Sequence, residues 1–481
     1  MTPNQYTPEE PISSIATALA PAALGIVRVS GKGCIELVSK VFSRPKALLE
    51  APGNTLVYGW IQVPMSEAAE TSKIDEVMLA VYRAPKSFTG EDMVEIFCHG
   101  GPAVVTAIQN LMLKIGFRQA NRGEYTFRAF INGKTDLTRA EAVKEIIDSH
   151  TDVSRSHAAG RLAGSLFSEI DSIKKLIIDT LAAIEVEIEY PEDEETIADS
   201  FDRGDIEAAA SRLQALADSW RGEKLYQDGA RVVLAGRTNA GKSSLFNAIL
   251  KEERAIVSDI EGTTRDWLES WASINGIPVR LFDTAGLRET SDVIEAQGVE
   301  ISRNLVHDAD VVLYLVDSQS GLNDEDREFI ENCEEPLIIV ETKIDKNPGN
   351  KAGVLGGIPL GEGVESNEVR ARGSLSPSVC RISSKTGDGL SELFARISDI
   401  LTAGLSTERT QAGLGSARQK EAVSAALESV RHALISADDN YTLDAVVQDL
   451  EDALDSLGEV TGDVTPDDVL GSIFANFCVG K

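Results

Sequence analysis

The chain has 481 residues, 42% of them hydrophobic, with 46 Lys and Arg against 77 Asp and Glu, a formal net charge of −31. That length predicts roughly three domains, each able to bury a core, and that charge excludes broad electrostatic attraction to nucleic acid. An RNA partner would have to meet a local basic patch or be presented by a second protein. No apolar run approaches the ~20 residues of a membrane span, and the acidic start MTPNQYTPEEP lacks a basic-then-apolar leader. Both point to a cytoplasmic protein with no membrane partner.

Residues 12–130 alternate short β-like runs, GIVRV (25–29), TLVYGWI (55–61), EVMLAVY (76–82) and MVEIF (93–97), with turn residues. One helical stretch, PAVVTAIQNLMLKIG (102–116), interrupts them. This pattern predicts a separate α+β domain over 1–130. From about 135 the period changes. Leu162, Leu166, Ile170, Ile173, Ile177, Leu181, Ile184 and Ile188 recur at helical spacing, which predicts one long helix ending at Tyr190-Pro191. A second amphipathic stretch carries Leu213, Leu216 and Trp220, and 131–224 reads as helical.

The apolar strand RVVLA (231–235) runs into Gly-Arg-Thr-Asn-Ala-Gly-Lys-Ser (236–243), followed by helical SLFNAIL (244–250). Strand, glycine-rich loop and helix form the setting in which backbone amides at a helix N-terminus cradle phosphates. In that setting Lys242 reaches the β- and γ-phosphates and Ser243 ligates Mg²⁺. Next comes the polar loop Gly262-Thr263-Thr264-Arg265-Asp266, with a threonine placed for Mg²⁺. VRLFD (279–283) then leads into Asp283-Thr284-Ala285-Gly286, a carboxylate for the metal's water shell and a glycine amide for a γ-phosphate. PLIIV (336–340) leads into Thr342-Lys343-Ile344-Asp345, whose carboxylate can accept two hydrogen bonds from guanine; adenine would leave it unpaired. VCRIS (379–383) leads into Ser383-Ser384-Lys385, suited to a guanine carbonyl.

Each fragment alone is an ordinary strand-end turn. Five in order, at the spacings of one doubly wound domain over 225–400, make a guanine-nucleotide-binding domain. Leu287 follows the DTAG element, where many small GTPases carry a water-orienting glutamine. Asn239 and the carbonyls of Ser258–Thr263 would suit a weakly hydrated monovalent cation that neutralises charge developing on the phosphates; Asn239 also has the simpler reading of a turn residue. The glycine-rich stretch 347–377 reads as a flexible surface insertion.

Beyond the nucleotide elements, Val423, Leu427, Val430 and Leu434, then Leu443, Val446, Leu450, Leu454 and Leu457, form further helical stripes over 401–481. Some 80 residues of helix bury such stripes poorly alone. The economical solution packs them on the earlier helices, making the nucleotide domain an insertion in a discontinuous helical domain. The five cysteines (Cys34, Cys98, Cys333, Cys380, Cys478) lack C-x-x-C spacing, and the five histidines have no metal-ligand spacing. Cys478 lies four from the end, but Gly480 and Lys481 do not fit a prenylation signal. It reads either as a buried small hydrophobe or as a thiolate activated by a neighbour such as Lys481.

With these pieces in order, the chain resembles the tRNA-modification GTPases of the MnmE (TrmE) family along nearly its whole length. The resemblance rests on the ending Phe477-Cys-Val-Gly-Lys481 and on SFTGEDMVEIFCHGGP (87–102), RGEYTFRAFINGKTDL (122–137), GRTNAGKSSLFNA (236–248) and DTAGLRETSD (283–292). It implies an α/β multidomain protein with an N-terminal α+β domain of folate-binding type, a discontinuous helical domain and an inserted doubly wound P-loop GTPase domain. It also implies a homodimer joined through the N-terminal domains, K⁺- and Mg²⁺-dependent GTP hydrolysis, and a FAD-binding MnmG-type partner in a heterotetramer. Together these would modify C5 of the wobble uridine in tRNA, with 5-formyl- or methylene-tetrahydrofolate as one-carbon source.

Carried over by position, folate contacts fall on Arg28, Glu95, Lys134 and Lys481, and the water-positioning carboxylate falls on Glu295. Potassium ligands fall on Asn239, Ser258, Ile260 and Thr263; magnesium ligands fall on Ser243 and Thr264. The GTP contacts span Asn239, Ala240, Gly241, Lys242, Ser243 and Ser244, then Ser258, Asp259, Ile260, Glu261, Gly262, Thr263 and Thr264. They continue through Asp283, Thr284, Ala285, Gly286, Thr342, Lys343, Ile344, Asp345, Ser383, Ser384 and Lys385. Three departures stand out: bulky ALAPAAL (18–24) where the family has a glycine-rich run, Thr342 for the asparagine of N-K-x-D, and Thr238 for a proline. A regulatory switch, such as a ribosome-assembly GTPase without one-carbon chemistry, would use the same nucleotide domain. A basic RNA-binding appendage would mark that alternative, and none is visible.

Overall fold

The computed structural model describes residues 10–63, 72–189, 203–252, 268–283, 304–346, 378–405, 412–438 and 443–480. The chain begins with β1 (Ile12–Ile15), β2 (Ala22–Ser30), α1 (Cys34–Ser39), α2 (Pro45–Leu49), β3 (Thr55–Gln62), β4 (Lys73–Tyr82) and β5 (Met93–Gly100). Then come α3 (Pro102–Lys114), β6 (Arg118–Gln119) and α4 (Glu124–Ile131). The six strands form one sheet in the order β3-β4-β5-β2-β1-β6. Strict alternation sets its two faces. Val27 and Val29 of β2 and Val94, Ile96 and Cys98 of β5 are buried in a core shared with α1 and α3. The intervening Arg28 and Glu95, partners in register, therefore stand on the opposite face.

One interrupting helix was expected here, and α1, α2 and α4 are additional. At six, five and eight residues they are too short for a 3.6-residue period to declare itself.

The chain continues through α5 (Leu137–Asp148), α6 (Asp152–Ala163), α7 (Ser165–Glu189) and α8 (Arg203–Asp228). The single long helix expected from Leu162 onward is thus two. Gly164, at φ 100°, takes a left-handed conformation that ends α6 and lets α7 restart. Leu162 falls on the exposed side of α6, whereas Ile170, Ile173, Ile177 and Ile184 of α7 are fully buried. Each such burial contributes about 1.5–3 kcal/mol relative to exposure.

Next come β7 (Ala230–Gly236), α9 (Lys242–Glu252), β8 (Leu268–Ile274), β9 (Ile277–Asp283), β10 (Val311–Asp317), α10 (Asp324–Asn332), β11 (Leu337–Thr342), β12 (Ser378–Arg381) and α11 (Leu390–Leu401). Their sheet runs β12-β11-β10-β7-β9-β8, with every pair parallel except β8–β9. Its inner strands are covered on both faces and read as largely apolar runs, β9 being interrupted by the half-buried Arg280. The chain closes with α12 (Ala417–Asp438), α13 (Leu443–Thr461) and α14 (Asp467–Ala475).

Two compact units result. One draws on Met1–Lys144, Arg161–Gln214 and Ala417–Lys481; the other draws on Glu145–Gly160 and Ala215–Ser416. Within the first, α13 packs against α12 and α7. Val423, Leu427, Val430, Val446, Leu450 and Leu457 are buried there. In the same unit α14 docks on α4, where Phe474 meets Phe127 edge to face at 5.3 Å. Leu137, Ala140, Leu470 and Phe477 complete that small core. Among the described residues no helix is long and apolar enough to cross a membrane.

Candidate functional site

In the second unit β7 lies between β10 and β9, so the chain leaves β7 at the point where strand order reverses, the usual ligand crevice of an open parallel sheet. The loop from Gly236 to Gly241 starts there. At Gly236 a Cβ would come within 2.4 Å of the Leu315 carbonyl oxygen, so only glycine lets the loop turn off the strand. Asn239 is exposed and adopts left-handed backbone at φ 61°. Lys242, at the start of α9, donates through Nζ to the Gly236 and Arg237 carbonyls, both at 2.8 Å. The Ser243 hydroxyl donates to Asp283 Oδ2 at 2.8 Å, which brings the loop and the end of β9 to one point. A hydroxyl and a carboxylate converging beside a helix N-terminus are a donor set suited to Mg²⁺ and its water shell. Ser244 is exposed in the first turn of α9.

The base side is tied to the phosphate side. Thr342 Oγ1 donates to the Ala240 carbonyl at 2.7 Å. The hydroxyl therefore ties this base element directly to the phosphate loop. Lys343, at φ 59°, donates to the Asn239 carbonyl at 2.6 Å and to Asp317 Oδ2 at 2.8 Å. Burial pushes the Asp317 carboxyl up, but the Lys343 ammonium and the Gln319 N–H outweigh it and hold it below the usual range. Asp345 is exposed and accepts from the Ser383 hydroxyl at 2.8 Å, which joins the two base elements. Ile344 and Ser384 are half-buried beside them, and Lys385 is exposed.

Two residues of this framework escaped the sequence reading. Asp317 ends the apolar run VVLYLV as Asp283 ends VRLF, and that shared strand-end signature was the available signal. Arg237 reaches the nearly fully buried Asp326 at 3.1 Å and the Gly321 carbonyl, bracing the phosphate loop against α10. Nothing local in the sequence marks that brace. Ser258, Asp259, Ile260, Glu261, Gly262, Thr263, Thr264, Thr284, Ala285, Gly286, Leu287, Glu295, Lys481 and the insertion 347–377 lie outside the described residues.

In the first unit Arg28 and Glu95 form an ion pair, with Nη2 2.7 Å and Nε 2.9 Å from Glu95 Oε1. Tyr82 donates its hydroxyl to Glu95 Oε2 at 3.3 Å. Burial, with the Glu95 charge adding to it, raises that phenol above its ordinary value. The last described residue reaches this pair: Arg28 Nη1 donates to the Gly480 carbonyl at 2.9 Å. Lys134 is exposed and bonds the Pro85 carbonyl at 3.0 Å, on the loop that carries Phe88. Cys478 is exposed, which overturns its reading as a buried hydrophobe. Cys98, Cys333 and Cys380 have thiols pushed up to about 11, chiefly by burial. Among the described residues no His, Cys, Asp and Glu group of three is placed to hold a metal.

Comparison with known proteins bears on both units. The family model described as "GTP-binding protein TrmE N-terminus" matches residues 11–134, and "MnmE helical domain" matches residues 137–478. The tRNA modification GTPase MnmE of Treponema denticola is 50% identical over 489 residues, covering 99% of this chain and 99% of the relative. The protein of the same name from Treponema pallidum (strain Nichols) is 43% identical over 504 residues, covering 100% of each. That of Borrelia turicatae is 39% identical over 482 residues, covering 99% and 100%. By two family models and by identity along its full length, the chain belongs to the MnmE (TrmE) family of tRNA modification GTPases.

Proposed function

We propose that this chain is the GTP-hydrolysing component of a cytoplasmic machinery that modifies C5 of the tRNA wobble uridine, a carboxymethylaminomethyl-type modification. In this reading it takes a one-carbon unit from a tetrahydrofolate and works with a FAD-dependent, MnmG-type partner. The observation that carries it is the meeting of Arg28, Glu95 and the end of the chain on one face of the N-terminal sheet. A GTPase switch alone has no use for such a site. Residues 1–130 then act as the folate-binding and dimerisation domain, 131–224 and 401–481 as the two parts of a helical domain, and 225–400 as the GTPase domain. A homodimer through the N-terminal domains is supported by apolar side chains on the open sheet, Leu56, Tyr58 and Met78, which are 61%, 53% and 46% exposed.

For the nucleotide, Lys242 and the loop amides hold the phosphates, Ser243 and Thr264 hold Mg²⁺, and Asp345 reads guanine. Asn239, Ser258, Ile260 and Thr263 hold K⁺, which supplies positive charge where the transferred phosphoryl group gains negative charge. Glu295 orients the attacking water, a task Leu287 cannot perform. For the folate, Arg28, Glu95, Lys134 and Lys481 line one pocket: Glu95, oriented by Arg28, accepts from a pterin, and Lys134 and Lys481 complement a glutamate tail. A bound formyl- or methylene-tetrahydrofolate supplies the carbon.

Mass spectrometry of wobble nucleosides from cells lacking this chain tests the reading as a whole. Loss of the C5-modified uridines is expected; unchanged nucleosides would leave only the switch. The nucleotide half is tested by turnover: GTP hydrolysis is expected to need K⁺ rather than Na⁺ at matched ionic strength. In the same assay Glu295→Ala is expected to lower kcat about 10²-fold with little change in nucleotide affinity. Equal rates in the two salts, or a fully active variant, would sink the corresponding assignment.

The folate half is tested by truncation. Because Phe477 is buried against Phe474, a cut before it would also open a cavity. The cut belongs after it. Removing Cys478–Lys481 is expected to abolish calorimetric binding of formyl-tetrahydrofolate and leave GTP hydrolysis largely intact. Full folate affinity in the shortened chain would show the tail to be outside the pocket.

A further inference from the structure

Arg28 carries five N–H donors in a rigid fork. Nε and Nη2 converge on Glu95 Oε1, at 2.9 and 2.7 Å, and Nη1 points to the Gly480 carbonyl 2.9 Å away. The guanidinium carbon lies 5.8 Å from the Phe88 ring centre and 5.5 Å from that of Tyr125. Tyr125 is fully buried and donates its hydroxyl back to the Arg28 carbonyl at 2.7 Å. The Arg28 side chain is 16% exposed and that of Glu95 is 13% exposed. Ion pair and rings therefore hold the guanidinium independently of the tail, and of its remaining N–H donors one is aimed at the tail's backbone.

The tail has an anchor on each side of Cys478. Before it, Phe477 is buried beside Phe474 and Phe127. After it, Val479 forms an isolated bridge with Arg122, and Gly480 meets Arg28. The backbone bond of that bridge, from the Gly123 N–H to the Cys478 carbonyl, is long at 3.4 Å. The 2.9 Å bond from Arg28 is shorter and charge-assisted, so of these polar ties it is the strong one.

We propose that Arg28 is a positioning residue: it clasps the end of the chain onto the N-terminal sheet and so fixes where the exposed Cys478 thiol stands. The proposal deepens the folate-site reading above, but the clasp itself needs no folate. It requires a fork. A lysine would keep the charge, yet a point donor cannot hold Glu95 and a carbonyl in fixed directions together.

Hydrogen–deuterium exchange of the C-terminal peptide, measured on the full chain without folate, reads the clasp directly. In Arg28→Lys the amides after Phe477 are expected to exchange about 10- to 100-fold faster, the size set by loss of one charge-assisted bond. Amides of β4 and α3 should keep their protection. In Arg28→Ala, millimolar methylguanidinium should restore the slow exchange and methylammonium should not, a rescue that a merely structural role would not show. If the Arg28 variants misfold, Glu95→Gln decides the matter, because it weakens the orientation of Arg28 while leaving the residue in place; the same faster exchange is expected.

A tail as protected as in the parent chain overturns the clasp. If formyl-tetrahydrofolate affinity falls in Arg28→Lys while tail exchange is unchanged, Arg28 is a direct ligand contact and the clasp is wrong. If the tail loosens in a chain that never binds folate, the clasp stands and the folate reading fails.

Discussion

Replacing Asp345 by asparagine is expected to cut GTP affinity by about 10²- to 10⁴-fold and to admit xanthosine triphosphate in its place. Two charge-assisted hydrogen bonds from a guanine edge contribute about 1.5–3 kcal/mol each, and an asparagine NH₂ would face those donors with another donor. Xanthine carries a carbonyl where guanine carries its amino group, so the amide finds a partner there. The structure makes the effect larger than for a shared contact. Thr342 has its hydroxyl committed to the Ala240 carbonyl, and Lys343 is committed to Asn239 and Asp317, which leaves Asp345 as the carboxylate of this element facing outward. The Ser383 hydroxyl occupies one lone pair of Oδ1 and fixes the carboxylate's orientation. Dissociation constants for both nucleotides, measured on the parent and the variant, check this. GTP bound equally well by both proteins would mean that Asp345 does not read the base.

Glu124→Ala is expected to destabilise the first unit by about 3–5 kcal/mol, the cost of removing one partner from a buried ion pair. Glu124 and Arg128 are both fully buried and joined at 2.9 Å. Glu124 also accepts from Arg118 Nη2 at 2.6 Å and from the Asn121 N–H at 2.8 Å. Glu91 remains beside Arg128, at 3.0 Å, but one carboxylate then serves a guanidinium arranged for two.

The acid dependence follows from the same contacts. Burial pushes the Glu124 carboxyl up, and the bonds from Arg118 and Asn121 with the Arg128 charge more than reverse it, leaving the group below its ordinary value. A carboxyl depressed in the folded state adds stability above its unfolded value, about 4.3, and that stability disappears as pH falls through the lower folded value. The parent should therefore weaken below about pH 4, and Glu124→Ala should lack that part of the decline. Exchange protection of β2 and β5 amides is the proper measure, because a chain of two units has no single melting point. A variant within about 1 kcal/mol of the parent would show that the cluster adds little net stability, as buried ion pairs sometimes do.

Much of the framework was legible because its signals are local. Strands buried on both faces are mostly apolar, so the strands ending at Gly236, Asp283 and Thr342 could be read directly. The stripes of α7, α12 and α13 announced themselves by period. What escaped was short or distant. α1 and α2 span less than two turns, and the break at Gly164 costs only one residue in an otherwise continuous stripe. Thr342 stood out only as a departure from asparagine; the Ala240 carbonyl that its hydroxyl bonds is 102 residues away.

The sequence by itself determined the order of the nucleotide elements, the residue types at the phosphate and base loops, and the family, because each is written in runs of fewer than twenty residues. Tertiary structure alone decided that Lys343 ties Asn239 to Asp317, that Arg237 leans on buried Asp326, that Cys478 is exposed, and that Gly480 lands on Arg28 across 452 residues of chain. The physical reason is the same in each case. A side chain's chemistry is intrinsic and can be read where it stands, but its partner is set by how distant segments bury their apolar faces, and that packing belongs to the whole chain.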